Sequence, residues 1–233
     1  MANGTATLPE QEIREERRTR PEQRRRGEVV FGGSMVGGLI AAIAGILAII
    51  GLAGAYPLLM VGIATIALGV SFLFKGATTI GQLYRLLDET GEARVPMGEL
   101  GAGTTGETFA GIAGIVLGIL AVLNVIPGVL IPWAAIVFGG AFVIGAGANV
   151  RVHEMLITWR QEHPIARQVG RQVVLATTGL EVLGGLSAIT LGILALARVT
   201  PLGLSLAAML SIAVVFVLSN AAISGRILAG LQR

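Results

Sequence analysis

Two stretches of this chain match patterns that carry chemistry elsewhere. Gly101-Ala-Gly-Thr-Thr-Gly106 has the Gly-x-Gly-x-x-Gly spacing of a dinucleotide-binding turn. That turn works when it follows a strand and opens a helix in a βαβ unit, so that backbone N–H groups meet a pyrophosphate. Here it follows a charged connection and leads into an apolar segment, which reads as a flexible helix start and not as a cofactor site. His153 and His163 are well separated along the chain, with Pro164 beside the second. A helical metal site wants ligands one turn apart, so the two are read as solvated interfacial histidines. There is no cysteine, which excludes disulfides, thiolate metal sites and a thiol nucleophile. No cofactor, no metal and no enzymatic activity are therefore expected.

The composition identifies the solvent of the chain. Hydrophobic residues make up 54% of the 233, charged residues only 13%, and the mean hydropathy is +0.80. Soluble domains carry about 25% charged residues. The charges that remain are clustered, leaving six apolar segments at about 29–52, 57–80, 107–126, 129–150, 180–199 and 202–223. Each has roughly the 20 residues that cross a hydrocarbon core of about 30 Å. Backbone groups in lipid must find partners within their own segment, so these are helices. The fold class is all-α, a polytopic membrane protein of six transmembrane helices.

The connections alternate in kind. Tight ones precede Pro57, Pro127 and Pro201, and Pro suits the first turn of the following helix. Long, charged ones cover 81–106 and 151–178. Of 17 basic residues only Arg198 lies on a tight connection, and no acidic residue does. By the positive-inside rule the arm, the long connections and both termini are expected in the cytoplasm. Lys75, near the end of the second segment, is expected to snorkel toward that side. With no acidic residue, Arg or His in mid-span, proton-coupled and ion-coupled transport are disfavoured.

Residues 1–27 form a polar arm in which Arg24, Arg25 and Arg26 adjoin the first segment, placed to orient it and to attract anionic lipid headgroups. The net charge of +3 follows this topology and does not indicate a nucleic-acid partner. The 151–176 connection places Val152, Leu156 and Trp159 on one helical face, as expected of a helix lying on the membrane interface or docking a partner.

Gly-Ile-Leu-Ala occurs at 45–48, 118–121 and 192–195, so its spacing is constant to within one position. Each copy is followed by a Pro, at Pro57, Pro127 and Pro201, and each Pro by a Phe at one fixed distance, at Phe72, Phe142 and Phe216. The shared register predicts one hairpin present three times, in parallel orientation, over 28–90, 91–163 and 164–233. Thr104 with Glu107 and Thr178 with Glu181 have the Thr-x-x-Glu spacing of capping boxes at the starts of the third and fifth helices. Small residues recur at every fourth position on the odd helices: Gly33, Gly37, Ala41 and Gly45, then Ala110, Gly114 and Gly118, then Gly184, Ala188 and Gly192. Such faces let membrane helices pack closely. The odd helices are therefore expected at the centre of a threefold-like bundle.

Residues 118–127 (Gly-Ile-Leu-Ala-Val-Leu-Asn-Val-Ile-Pro) and 192–201 (Gly-Ile-Leu-Ala-Leu-Ala-Arg-Val-Thr-Pro) resemble the HdeD family. These are small bacterial inner-membrane proteins built from short repeated membrane hairpins and associated with acid resistance. The resemblance covers the six helices but not the arm or the long connections, and the first hairpin departs from it by a short insertion before Pro57. It implies a bacterial inner-membrane location and a stress-related role, and it brings no catalytic or binding residues. The expected function is association, as a homo-oligomer or with other membrane proteins, in a scaffold, accessory subunit or HdeD-like protein. The alternative is a passive channel or carrier for a small uncharged solute along the bundle axis.

Overall fold

The structure, a computed structural model, describes the backbone of residues 35–90, 97–159, 164–198 and 200–231, with side chains for 35–78, 105–147, 176–198 and 200–221. The arm with Arg24, Arg25 and Arg26, as well as Gly33 and His163, lies outside the described residues. So do the side chains of Thr104, His153 and Trp159.

Among the described residues the chain is all-helical. Helix α1 is seen from Met35 to Leu52, followed by α2 (Pro57–Thr90), α3 (Met97–Val122), α4 (Pro127–Trp159), α5 (Pro164–Leu196) and α6 (Pro201–Leu231). Each of the six contains a stretch long and apolar enough to cross a membrane, so the chain has the architecture of a multi-pass membrane protein. Helix α4 begins at Pro127, and Pro132 falls inside it.

The long connections are mostly helix. Residues 81–90 belong to α2, 97–106 to α3, 151–159 to α4 and 164–178 to α5. This corrects the expectation of a separate interface helix over 151–176, because 151–159 continue α4 and 164–176 belong to α5, while 160–163 lie outside the described residues. It also places Gly101–Gly106 inside α3, where the backbone N–H groups serve the helix and cannot cradle a phosphate. The capping boxes are corrected too. Helix α3 begins at Met97, ahead of Thr104, and α5 begins at Pro164, ahead of Thr178, so both Thr-x-x-Glu pairs are interior. A cap acts only where N–H groups lack an i−4 partner.

The three tight turns share one backbone solution. Each closes with two left-handed residues at matching places before its Pro: Gly54 and Tyr56, Asn124 and Ile126, Arg198 and Thr200. The first two carry the paired hydrogen bonds of a Schellman motif, Gly54 N to Gly51 O at 3.0 Å with Ala55 N to Ile50 O at 3.3 Å, and Asn124 N to Ala121 O at 3.0 Å with Val125 N to Leu120 O at 3.0 Å. At the first of these positions Gly54, with φ +93°, has no Cβ to strain, whereas Arg198 holds φ +64° with one. Arg198→Gly is expected to stabilise the protein by about 1 kcal/mol, seen as a higher midpoint of thermal unfolding in detergent.

The helices pack with the even ones inside, the reverse of the sequence expectation. In the spans of α2, α4 and α6, between 44% and 56% of the residues are buried, against 33% in each odd span. Helix α1 lies in the groove between α2 and α6, since Gly37 meets Phe74 and Gly45 meets Ala213. Helix α3 lies between α2 and α4, and α5 between α4 and α6. The small-residue faces of the odd helices do face neighbouring helices: a Cβ added to Gly114 would stand 2.2 Å from Phe138, and one added to Gly184 2.2 Å from Val215. Those on Gly118 and Gly192 would stand 2.6 Å from Ile66 and 2.8 Å from Ile136. Small residues mark where a helix approaches its neighbours, whereas large buried side chains mark the middle. Phe72, Phe138, Phe142 and Phe216 are all buried, and all sit on even helices.

Candidate functional site

The centre of the bundle is a layer of aromatic rings. Phe72, Phe142 and Phe216 come from α2, α4 and α6 and meet pairwise, with centroids 5.0, 5.2 and 5.7 Å apart. Phe138 stacks on Phe72 at 5.0 Å with the rings 2° from parallel. The intervals Pro57 to Phe72, Pro127 to Phe142 and Pro201 to Phe216 are identical, so equal helical rise brings the three rings to one depth.

One turn further from the tight turns lies a cluster of charges. Lys75 Nζ donates a hydrogen bond to Glu181 Oε1 at 2.8 Å and is 3.1 Å from Glu107 Oε1. The ammonium also stands over the Phe142 and Phe216 rings, 4.9 and 5.8 Å from their centroids, within range of a cation–π attraction. The side chains are 16% exposed for Lys75, 3% for Glu107 and 6% for Glu181. Lys75 therefore turns inward and does not snorkel. Two carboxylates and two ring faces within reach outweigh the route to the headgroups, because a charge in a bundle interior is held there by its partners.

Three helices from three different hairpins build the cluster. Glu107 and Glu181 hold the same place in their hairpins, at one interval before Gly118 and Gly192 and at one interval before Pro127 and Pro201. Lys75 lies nearly as far beyond Pro57 on α2. At a rise of about 1.5 Å per residue these positions share a depth of about 27–30 Å from the turns. The positions equivalent to Lys75, one turn after the common Phe, are Gly145 on α4 and Ser219 on α6. A Cβ added to Gly145 would stand 2.9 Å from Glu107 Oε1, so this glycine makes room for the carboxylate. In the α5–α6 seam Gly184 meets Val215. Ser219 Oγ is buried without a hydrogen-bond partner. By contrast Thr65, Ser71, Ser205 and Ser211 each bond the carbonyl one turn back, the usual arrangement for a hydroxyl on a membrane helix.

Sequence reasoning singles out all three charged residues but in other roles, Glu107 and Glu181 as caps and Lys75 as an interfacial anchor. The signal that joins them is equal depth, measured from the prolines. Among the expected packing residues, Gly37, Gly45, Gly114, Gly118, Gly184 and Gly192 all lie in helix seams. The closest backbone approaches involve glycines outside those ladders. A Cβ on Gly69 would stand 2.8 Å from Gly111 O, and one on Gly139 2.5 Å from Gly185 O.

Chemically, the cluster is one cation shared by two carboxylates beside a buried aromatic layer, an arrangement that can hold helices together and store buried charge. No protein-family model matches the chain, and neither a curated protein nor a solved structure is significantly similar to it.

Proposed function

We propose that this chain is a non-catalytic membrane protein that acts by association, as a scaffold or accessory subunit of a membrane complex or as a stress-related protein of the HdeD kind. The observation that carries this reading is the filled axis. Four buried rings occupy the centre, and the charges beside them are paired with one another. A passive channel needs a path at that place, so the alternative of a channel or carrier for a small uncharged solute is the weaker one.

Helix length supports the same reading. Helices α2, α4 and α5 have 34, 33 and 33 residues. They are thus about 50 Å long against a hydrocarbon core of about 30 Å. The excess lies at the end away from the tight turns and carries Arg85, Asp88, Arg151, Glu154, Arg167 and Arg171 in sequence. In this reading that end is cytoplasmic, as are both termini, the membrane is the bacterial inner membrane, and the helix extensions with the arm form the contact surface. The hairpins are three copies of one unit. The partners are anionic lipids, further copies of this chain or other membrane proteins.

Purification from native membranes in mild detergent, with mass spectrometry of the co-eluting proteins, tests the proposal. A complex larger than one chain, lost when residues 1–27 are removed or when Arg85, Arg151 and Arg167 are reversed in charge, is expected. A lone monomer that supports solute flux in liposomes would overturn it.

A further inference from the structure

We propose that the Lys75–Glu107–Glu181 cluster selects which hairpins enter a bundle, and so admits one first hairpin beside two hairpins that carry a carboxylate. The inference uses the three-hairpin reading above but not the association reading.

Shape alone distinguishes the hairpins poorly. The aromatic layer takes the same residue from each, as Phe72, Phe142 and Phe216. The seam between α2 and α3 is a glycine pair, Gly69 with Gly111, and the seam between α4 and α5 is another, Gly139 with Gly185. A hairpin from a second copy of the chain could meet these surfaces in the wrong place, the usual hazard of repeated units.

The charge layer removes that degeneracy. The first hairpin brings an ammonium, and the second and third bring one carboxylate each. A bundle with two first hairpins places two ammoniums at the centre. A bundle without one leaves carboxylates facing carboxylates in low dielectric. Either error costs far more than an exposed mismatch, because unpaired charge in such a place is not screened. One first hairpin with two carboxylate-bearing hairpins puts Lys75 between two carboxylates, as the native bundle does with Glu107 and Glu181. The symmetric positions agree with this division: Gly145 and Ser219 are small and neutral, and a side chain at Gly145 would strike Glu107. A single buried polar residue sets partner number in coiled coils by the same logic.

The chain contains no cysteine, so a disulfide can report on closure without background. The seam between the first and last helices brings Gly45 against Ala213, with 3.3 Å between Cβ positions, close to disulfide geometry. In the otherwise native chain G45C/A213C should crosslink within one chain and run as a monomer on a non-reducing gel. Crosslinking between chains in this parent would overturn the bundle arrangement itself, and the inference with it. In the neutral background K75M/E107Q/E181Q the protein should still fold, since a neutral isosteric layer replaces a paired one, but crosslinks between chains should appear. A folded neutral variant that crosslinks only within chains, as the parent does, overturns the proposal. The relocated pair K75S/S219K gives a second test, because it keeps one ammonium and two carboxylates in the layer. It should fold and crosslink within the chain, and loss of its folded state would show that Lys75 acts through local packing and not through selection.

Discussion

Lys75→Met is expected to be among the most damaging single substitutions in the described part of the chain. Methionine matches the lysine stem in length and is apolar, so little packing changes. What changes is that Glu107 and Glu181, 3% and 6% exposed, lose the ammonium they share. Breaking a buried ion pair from one side typically costs about 3–5 kcal/mol, because the remaining charge is stranded. Here two carboxylates are left 2.8 and 3.1 Å from where the cation stood. The expected result is loss of most folded protein on extraction, measured as the monodisperse fraction on size exclusion and the midpoint of thermal unfolding. Adding Glu107→Gln and Glu181→Gln to the same chain should recover most of the loss. If Lys75→Met leaves the midpoint unchanged, the cluster does not hold the bundle together. The outcome is informative in either direction, since Lys75 and Glu181 belong to helices far apart in the chain and only the assembled bundle joins them.

The second large effect is expected at Gly139. A Cβ there would stand 2.5 Å from Gly185 O and 3.1 Å from Ile189 N, and both are backbone atoms that no rotamer change can move aside. Gly139→Ala must therefore push α4 and α5 apart along the seam. Overpacking of this kind costs about 1–3 kcal/mol, and Gly139→Leu should cost more and abolish the folded state. The neighbouring residue supplies the control. Nothing lies within 4 Å of a Cβ on Gly140, so Gly140→Ala should be neutral or stabilising by about 0.5–1 kcal/mol through helix propensity. Equal loss of stability from the two alanine substitutions would mean that α4 and α5 do not cross at Gly139. The comparison uses adjacent positions on one helix and one chemical change, so only the packing environment differs between them.

How much of this is legible in the amino-acid sequence depends on the range of each signal. Hydrophobic runs, prolines and charge clusters act over one helix, and they are enough to place all six membrane segments to within a few residues of their turn ends. The long connections differ from expectation because charge marks the edge of the hydrocarbon and not the end of the helix. Leaving the hydrocarbon does not oblige a helix to stop, and α2 runs on to Thr90 through Arg85 and Asp88. The Thr-x-x-Glu pairs mislead for a related reason. The same spacing that makes a cap at a terminus merely puts two side chains on one face in an interior. The small-residue ladders do not tell which helices form the centre, because close approach occurs at seams wherever they lie.

The apolar solvent, the number of spanning segments, the tight turns and the equal Pro-to-Phe intervals can all be read from the amino-acid sequence. Each of these follows from the free energy of a single segment against lipid or from the geometry of one turn. Packing between helices sets the rest: the even helices go inside, four phenylalanines occupy the centre, and Lys75 binds Glu107 and Glu181 instead of reaching for the headgroups. These outcomes depend on which side chains from distant segments arrive at one depth together. A charge that looks like an interfacial anchor on its own helix becomes the centre of the bundle once two carboxylates stand within 3.1 Å of it.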